Sequence, residues 1–326
     1  MTLLLELLFF VLACVVLVKS AGIIVNHLTR ISSFLGLNEF AIGFIIMAIS
    51  TTLPELFIGI TSGLRKDTAI ALGTVIGSNI ADLTIIIGVV VLVTKSIRIR
   101  SHIIRRDLVY MLFILVLPIL LMLWPPTWLN GAPTEATLSR AEGLLLILVF
   151  VFYLYMTIRQ EHSFHKEIHR ASRHEAMSSF LVTALMAGAL FGSSHFVVKH
   201  GLVISAALNV PPILVGIFLI ALGTSLPELS FQLKAVKGKH EEMALGDLIG
   251  AVIVNSTLVL GITALISPIH ANFFIFFTSA MFMVVIAFIF LTFAESDGGL
   301  NWKEGISLVM LYVFFVIVES YIKTLQ

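Results

Sequence analysis

Residues 51–55 read TTLPE and residues 224–228 read TSLPE, 173 positions apart. Each lies inside a long apolar run, where a proline, two hydroxyls and a carboxylate are costly. Proline removes a backbone hydrogen bond and clashes with the preceding turn. A carboxylate at the centre of a bilayer costs roughly 3 kcal/mol or more. One copy would leave bland readings competitive, since a membrane proline is often only a kink and a Ser or Thr often bonds back to its own helix. Two copies in equivalent surroundings point to a duplicated site.

The duplication extends outward. AISTTLPEL (48–56) matches ALGTSLPEL (221–229), and ALGTVIGSNIADLTIIIG (71–88) matches ALGDLIGAVIVNSTLVLG (244–261) without a gap. Upstream, Ser20 faces Ser193, His27 faces His200 and Gly43 faces Gly216. The chain therefore divides into residues 1–160 and 177–326, joined by a linker at 161–176. The repeated motifs occupy about 43–88 and 216–261.

The surroundings are those of a membrane protein. Of 326 residues, 59% are hydrophobic and 12% charged, with a mean hydropathy of +1.07. A water-soluble domain carries about a quarter charged residues. A net charge of +1 gives no reason to expect nucleic acid as a partner, and the single Cys14 excludes an internal disulfide. Ten apolar segments can be marked: 3–26, 40–63, 69–94, 107–124, 138–158, 177–198, 211–235, 242–266, 272–294 and 303–322. The first lacks the basic start of a signal peptide and carries Glu6, so it is expected as a membrane helix. With five spans per half, the second half enters the membrane upside down relative to the first. The expected fold is thus all-α and integral to the membrane: ten transmembrane helices as two inverted five-helix repeats, with broken helices at the midplane.

Charge sets the expected orientation. With the N-terminus outside, the inner connections hold fourteen Lys and Arg and the outer side five. Both termini are then extracellular and the linker cytoplasmic. The four histidines of RQEHSFHKEIHRASRHE (159–175) are irregularly spaced among mixed charges and fit a solvated linker.

Inverted repeats of this kind characterise secondary transporters, with the site where the halves meet. A helix broken at Pro54 or Pro227 exposes carbonyls beside Thr51, Thr52 and Glu55, or Thr224, Ser225 and Glu228. Thr74, Ser78 and Asp82 follow at i, i+4 and i+8, one stripe of a helix; their counterparts are Asp247, Ala251 and Asn255. The glycines at 73, 77, 88, 246, 250 and 261 suit close helix packing. Carboxylates, hydroxyls and carbonyls are hard oxygen donors, which select Ca²⁺, Na⁺ or Mg²⁺ over zinc or copper. Calcium fits best, because two facing glutamates balance its charge. Emptied of calcium, the paired carboxylates repel each other, so the site crosses the midplane only when Na⁺ or H⁺ neutralises it.

These two segments, with GSNIAD and GAVIVN behind them, closely resemble the α-repeats of the cation/calcium antiporter superfamily, in its sodium/calcium exchanger branch. The resemblance implies one central calcium site flanked by sodium sites, and alternating access by movement of the first and sixth spans. By position it makes Glu55, Glu228, Thr51 and Thr224 calcium ligands. It groups Ala48, Ser78 and Ser225 with Glu55 as one sodium site, and Ala221 and Thr52 with Glu228 as the other, with Asp82 and Asn255 lining the middle. The chain departs from the pattern in four places. Asp82 and Asn255 exchange the usual Asn and Asp, Ala251 replaces a serine, Ser50 a glycine and Asp247 an asparagine. Exchange of Ca²⁺ for Na⁺ at the cell membrane is the expected function. A proton-coupled or potassium-involving antiporter is the alternative, and a calcium channel less so, because two inverted halves do not build a ring of acids. No HExxH occurs and Asp82 lacks a catalytic aspartate partner, so no enzyme is expected. Nor is a cofactor or an obligate protein partner; the partners are the transported ions and lipid.

Overall fold

The computed structural model describes residues 3–34, 47–99, 102–124, 135–160 and 173–324. It is a helical bundle with two small strand pairs. The first helix, α1, runs Leu3–Phe34. Next come α2 (Met47–Thr51) and α3 (Leu53–Arg65), then α4 (Thr68–Ala81), a π-helical turn at Asp82–Ile86 and α5 (Ile87–Thr94). Strand β1 (Ser96–Arg98), α6 (His102–Met122), β2 (Glu135–Leu138) and α7 (Arg140–Gln160) complete the first half.

The second half opens with α8 (Arg173–Leu208) and α9 (Pro212–Val215). A π-turn at Gly216–Ile220 leads into α10 (Ala221–Thr224), followed by α11 (Leu226–Lys237) and α12 (Glu241–Val254). Another π-turn at Asn255–Val259 precedes α13 (Leu260–Ile266). Last are β3 (Ile269–Asn272), α14 (Phe273–Glu295), β4 (Gly299–Asn301) and α15 (Trp302–Thr324).

The 173-residue offset of the sequence reappears as local geometry. The interruptions fall at Thr52 (φ −84°, ψ 4°) and Ser225 (φ −81°, ψ 4°). Left-handed turns occur at Lys66 (φ 63°) and Lys239 (φ 65°), and π-turns begin at Asp82 and Asn255. The break was expected at the prolines. It falls two residues earlier, and Pro54 and Pro227 instead occupy the second position of the helix that follows. There proline's missing N–H is one that no helical partner would use.

Among the described residues, eight helical stretches are long and apolar enough to cross a membrane. Two expected spans are not among them. One is 40–63, which lies partly outside the described residues and is interrupted at Thr52. The other is 107–124, which forms the C-terminal part of α6, a helix begun by residues carrying Arg105, Arg106 and Asp107. Most of the histidine-rich linker, 161–172, also lies outside the described residues.

The outer surface carries large apolar side chains such as Phe113, Phe152, Leu181 and Phe288, while the interior, though mostly apolar, also buries many Ser, Thr, Asn, Asp and Glu side chains. That arrangement suits lipid rather than water. Strand β1 pairs antiparallel with β4, with Ile97 opposite Leu300, and β2 pairs with β3, with Ala136 opposite Ala271. Each pair takes one strand from each half.

A candidate cation site between the halves

Both helix breaks and the π-turns converge on the interface between the halves. Helix α4 packs against α9 and α10, and α12 packs against α2. Glycines permit this. A Cβ on Gly77 would stand 2.7 Å from the Ala221 Cβ, and one on Gly250 2.4 Å from the Ala48 Cβ. Ala221 packs beside Gly77, next to Ser78, and Ala48 packs against the second-half helix that carries Asp247. Each stripe packs against the broken helix of the opposite half, a relation that in-half alignment does not display.

Around Glu55, the Ser78 hydroxyl donates to Oε1 at 3.0 Å, and Thr224 Oγ1 stands 3.5 Å from Ser78 Oγ. Around Asp247, Thr51 Oγ1 donates to Oδ1 at 3.1 Å and Gln232 Nε2 to Oδ2 at 3.4 Å. Asn255 Nδ2 donates to Asn79 Oδ1 at 3.2 Å, and Asn79 Nδ2 to Ser256 Oγ at 3.0 Å. The remaining threonines turn back on their own helices: Thr52 Oγ1 donates to the Ala48 carbonyl at 2.8 Å, and Thr224 Oγ1 to that of Ala221 at 3.1 Å.

Glu55, Asp82, Glu228 and Asp247 are each at most 1% exposed. Glu228 lies within electrostatic reach of the other three. Among the described residues no Lys or Arg is buried, so protein cations do not balance these groups. One oxygen each of Glu55, Asp82, Ser225, Glu228 and Asn255 is buried without a hydrogen-bond partner. Buried polar atoms are paired in more than nine cases of ten, so these orphans, four of them in the symmetry-related pairs Glu55/Glu228 and Asp82/Asn255, identify oxygens available to a ligand. Among the described residues, no three His, Cys, Asp or Glu side chains close a metal cage by themselves. A cation held here draws on hydroxyls, amides and main-chain carbonyls as well.

Of the residues expected at the site, Ser78, Glu55 and Thr224 come together, as do Thr51 and Asp247. Asp82, Glu228, Ser225 and Asn255 contribute unpaired oxygens, and Ala251 is buried without a polar group. Sequence reasoning missed Gln232 and Asn79. Gln232 stands four residues after Glu228 and so on the same helical face; that spacing was the available signal. Asn79 directly follows Ser78 of the polar stripe, and that adjacency was the available signal.

A buried, acidic, oxygen-lined site between two halves with matching breaks defines a membrane cation transporter. The profile of the sodium/calcium exchanger proteins matches residues 5–159 and 178–321, and the chain belongs to that family of calcium/cation antiporters. It is a transporter, not an enzyme. Sodium/calcium exchanger MaX1 of Methanosarcina acetivorans is 28% identical over 97% of this chain and 98% of its own length. Inner membrane protein YrbG of Escherichia coli is 26% identical over 79% of each chain. A structure of the sodium-calcium exchanger NCX_Mj soaked with 10 mM Na⁺ and no Ca²⁺ shares the fold, with TM-score 0.66 over 97% of this chain and 99% of the other at 21% identity.

Proposed function

We propose that this protein exchanges Ca²⁺ for Na⁺ by alternating access across the cell membrane, using a ten-span inverted repeat with both termini outside. Five partnerless buried oxygens carry the reading, those of Glu55, Ser225 and Glu228 at the helix breaks and those of Asp82 and Asn255 at the π-turns. Calcium takes six to eight oxygens at about 2.3–2.6 Å, and Glu55 with Glu228 supply its two compensating charges. Thr51 and Thr224 complete that centre, with Asp82 and Asn255 lining its middle. One sodium position forms from Glu55, Ser78, Ala221 and Thr224. The other forms from Glu228, Ala48, Thr52 and Ser225, where Ala251 withholds the hydroxyl that Ser78 supplies opposite.

The strand pairs support ten spans. Paired strands lie on one face, so an even number of crossings separates β1 from β4. Five of the eight apolar stretches lie between them: 140–157, 177–208, 212–237, 241–266 and 273–295. Helix α6 makes the sixth despite its charged start. The α2–α3 rod is the tenth by its likeness to residues 212–237, and the fourteen-to-five charge bias turns the 95–106 side to the cytoplasm.

Calcium uptake into proteoliposomes, with sodium, potassium or proton gradients imposed one at a time, tests the function. Uptake driven by an opposing sodium gradient alone is expected. Uptake driven only by protons overturns the sodium assignment, and uptake needing no opposing gradient marks a channel.

A further inference from the structure

Gln232 lies one helical turn beyond Glu228, and Asp247 one turn before Ala251. Both stand toward the turn at 238–240 that joins α11 to α12. Gln232 is 0% exposed, yet its Oε1 has no hydrogen-bond partner. Leaving a buried amide oxygen unpaired is costly. Packing alone does not call for it, because the equivalent position in the first half is Gly59. Likewise Asp247 answers to Thr74, whose hydroxyl turns back to the Ile70 carbonyl at 2.9 Å. The second half thus holds a carboxylate–amide pair that the first half lacks. Thr51 reaches it across the interface, donating to Asp247 Oδ1 at 3.1 Å.

We propose that Gln232 Oε1, Asp247 and the Thr51 hydroxyl form a further position for a sodium-sized monovalent cation, one turn from Glu228 on the 238–240 side. It rests on the antiport reading above. A half-turn about the terminal torsion of Gln232 exchanges Nε2 and Oε1, converting a donor–acceptor pair into two acceptors. The 3.4 Å between the Gln232 amide and Asp247 Oδ2 is the spacing of adjacent ligands at right angles around an ion with bonds of roughly 2.4 Å. One carboxylate balances one positive charge. A divalent ion would retain an uncompensated charge in an apolar interior, which is expensive. The first half offers nothing comparable, so the position serves only one face. It stages sodium between Glu228 and the 238–240 side.

The test is binding of radioactive sodium to the purified full chain in calcium-free buffer, for wild type, Gln232→Leu and Gln232→Glu, alongside calcium binding in sodium-free buffer. Gln232→Leu should bind one sodium fewer and keep its calcium affinity. Gln232→Glu should keep the sodium count and tighten the weakest-bound ion about tenfold, or ~1.4 kcal/mol. An unchanged sodium count and affinity in Gln232→Leu overturns the proposal, as does a loss confined to calcium. If Gln232→Leu does not fold, Gln232→Glu decides, and absence of tightening overturns it. These measurements need no gradient. Failure of the antiport reading would appear as no sodium-driven calcium exchange by the wild type, and failure of this position as intact exchange with the sodium count and affinity unchanged in Gln232→Leu.

Discussion

Among the described glycines, Gly73 has the least room for a side chain. The Cβ of an alanine there would lie 2.0 Å from the Ile213 carbonyl oxygen, and ordinary contact begins at 3.4 Å. The helices must part by 3.4 − 2.0 = 1.4 Å, because the Cβ is fixed rigidly to its backbone and the oxygen it meets is itself a backbone atom. Gly216 faces the same seam, with a hypothetical Cβ 2.5 Å from the Ile70 oxygen. The displacement passes through the π-turn at 216–220 into α10, where Thr224 stands 3.5 Å from Ser78. Overpacking costs about 1–3 kcal/mol, whereas alanine gains roughly 1 kcal/mol over glycine within a helix. Stability should therefore fall only slightly. Calcium–oxygen distances span about 0.3 Å, so a shift above 1 Å is far more serious for transport. Gly73→Ala should lower the unfolding midpoint by a few degrees and slow exchange on the order of a hundredfold. Gly188→Ala, with no atom within 4 Å of the added methyl, is the control and should be at least as stable as wild type. Unfolding in detergent and calcium flux in proteoliposomes measure both. Near wild-type exchange by Gly73→Ala would refute the argument that this seam positions the site.

Glu55→Gln and Glu228→Gln should each abolish calcium transport while the protein still inserts and folds; normal exchange by either would remove the paired carboxylates from the mechanism. Ala251→Ser should raise apparent sodium affinity, seen in calcium efflux against external sodium, with little change in calcium affinity. An unchanged curve would make Ala251 a packing residue only. In a background without Cys14, a cysteine at position 165 should be shielded from impermeant reagents applied to intact cells, and labelling from outside would reverse the orientation.

Much of the local structure was legible. The self-alignment pairs Thr52 with Ser225 and Asp82 with Asn255, so a break or π-turn at one recurs at the other, because duplicated residues meet duplicated constraints. The breaks themselves were expected at the prolines, and the π-turns were not foreseen. What stayed hidden was the contact across the halves. Nothing in TTLPE or GSNIAD says that Gly77 meets Ala221 or that Gly250 meets Ala48, since hydropathy specifies burial and not the partner. Gln232 was overlooked for a related reason. Its meaning depends on Asp247, fifteen residues later on another helix. The strand at 96–98 was invisible too, because three residues carry too little pattern to distinguish a strand from a connecting loop.

The shared strand pairs bear on how the chain is made. Arg98 ends β1 and Gly299 begins β4, so 299 − 98 = 201 positions of synthesis separate them. At roughly 5–20 residues per second, β1 waits on the order of 10–40 s for its partner. During that interval its edge is open, but it is short, carries Arg98 beside Ile97 and is preceded by Lys95, features that discourage pairing with a stranger. The nascent first half is thus held unfinished in the bilayer until almost the last helix has left the ribosome.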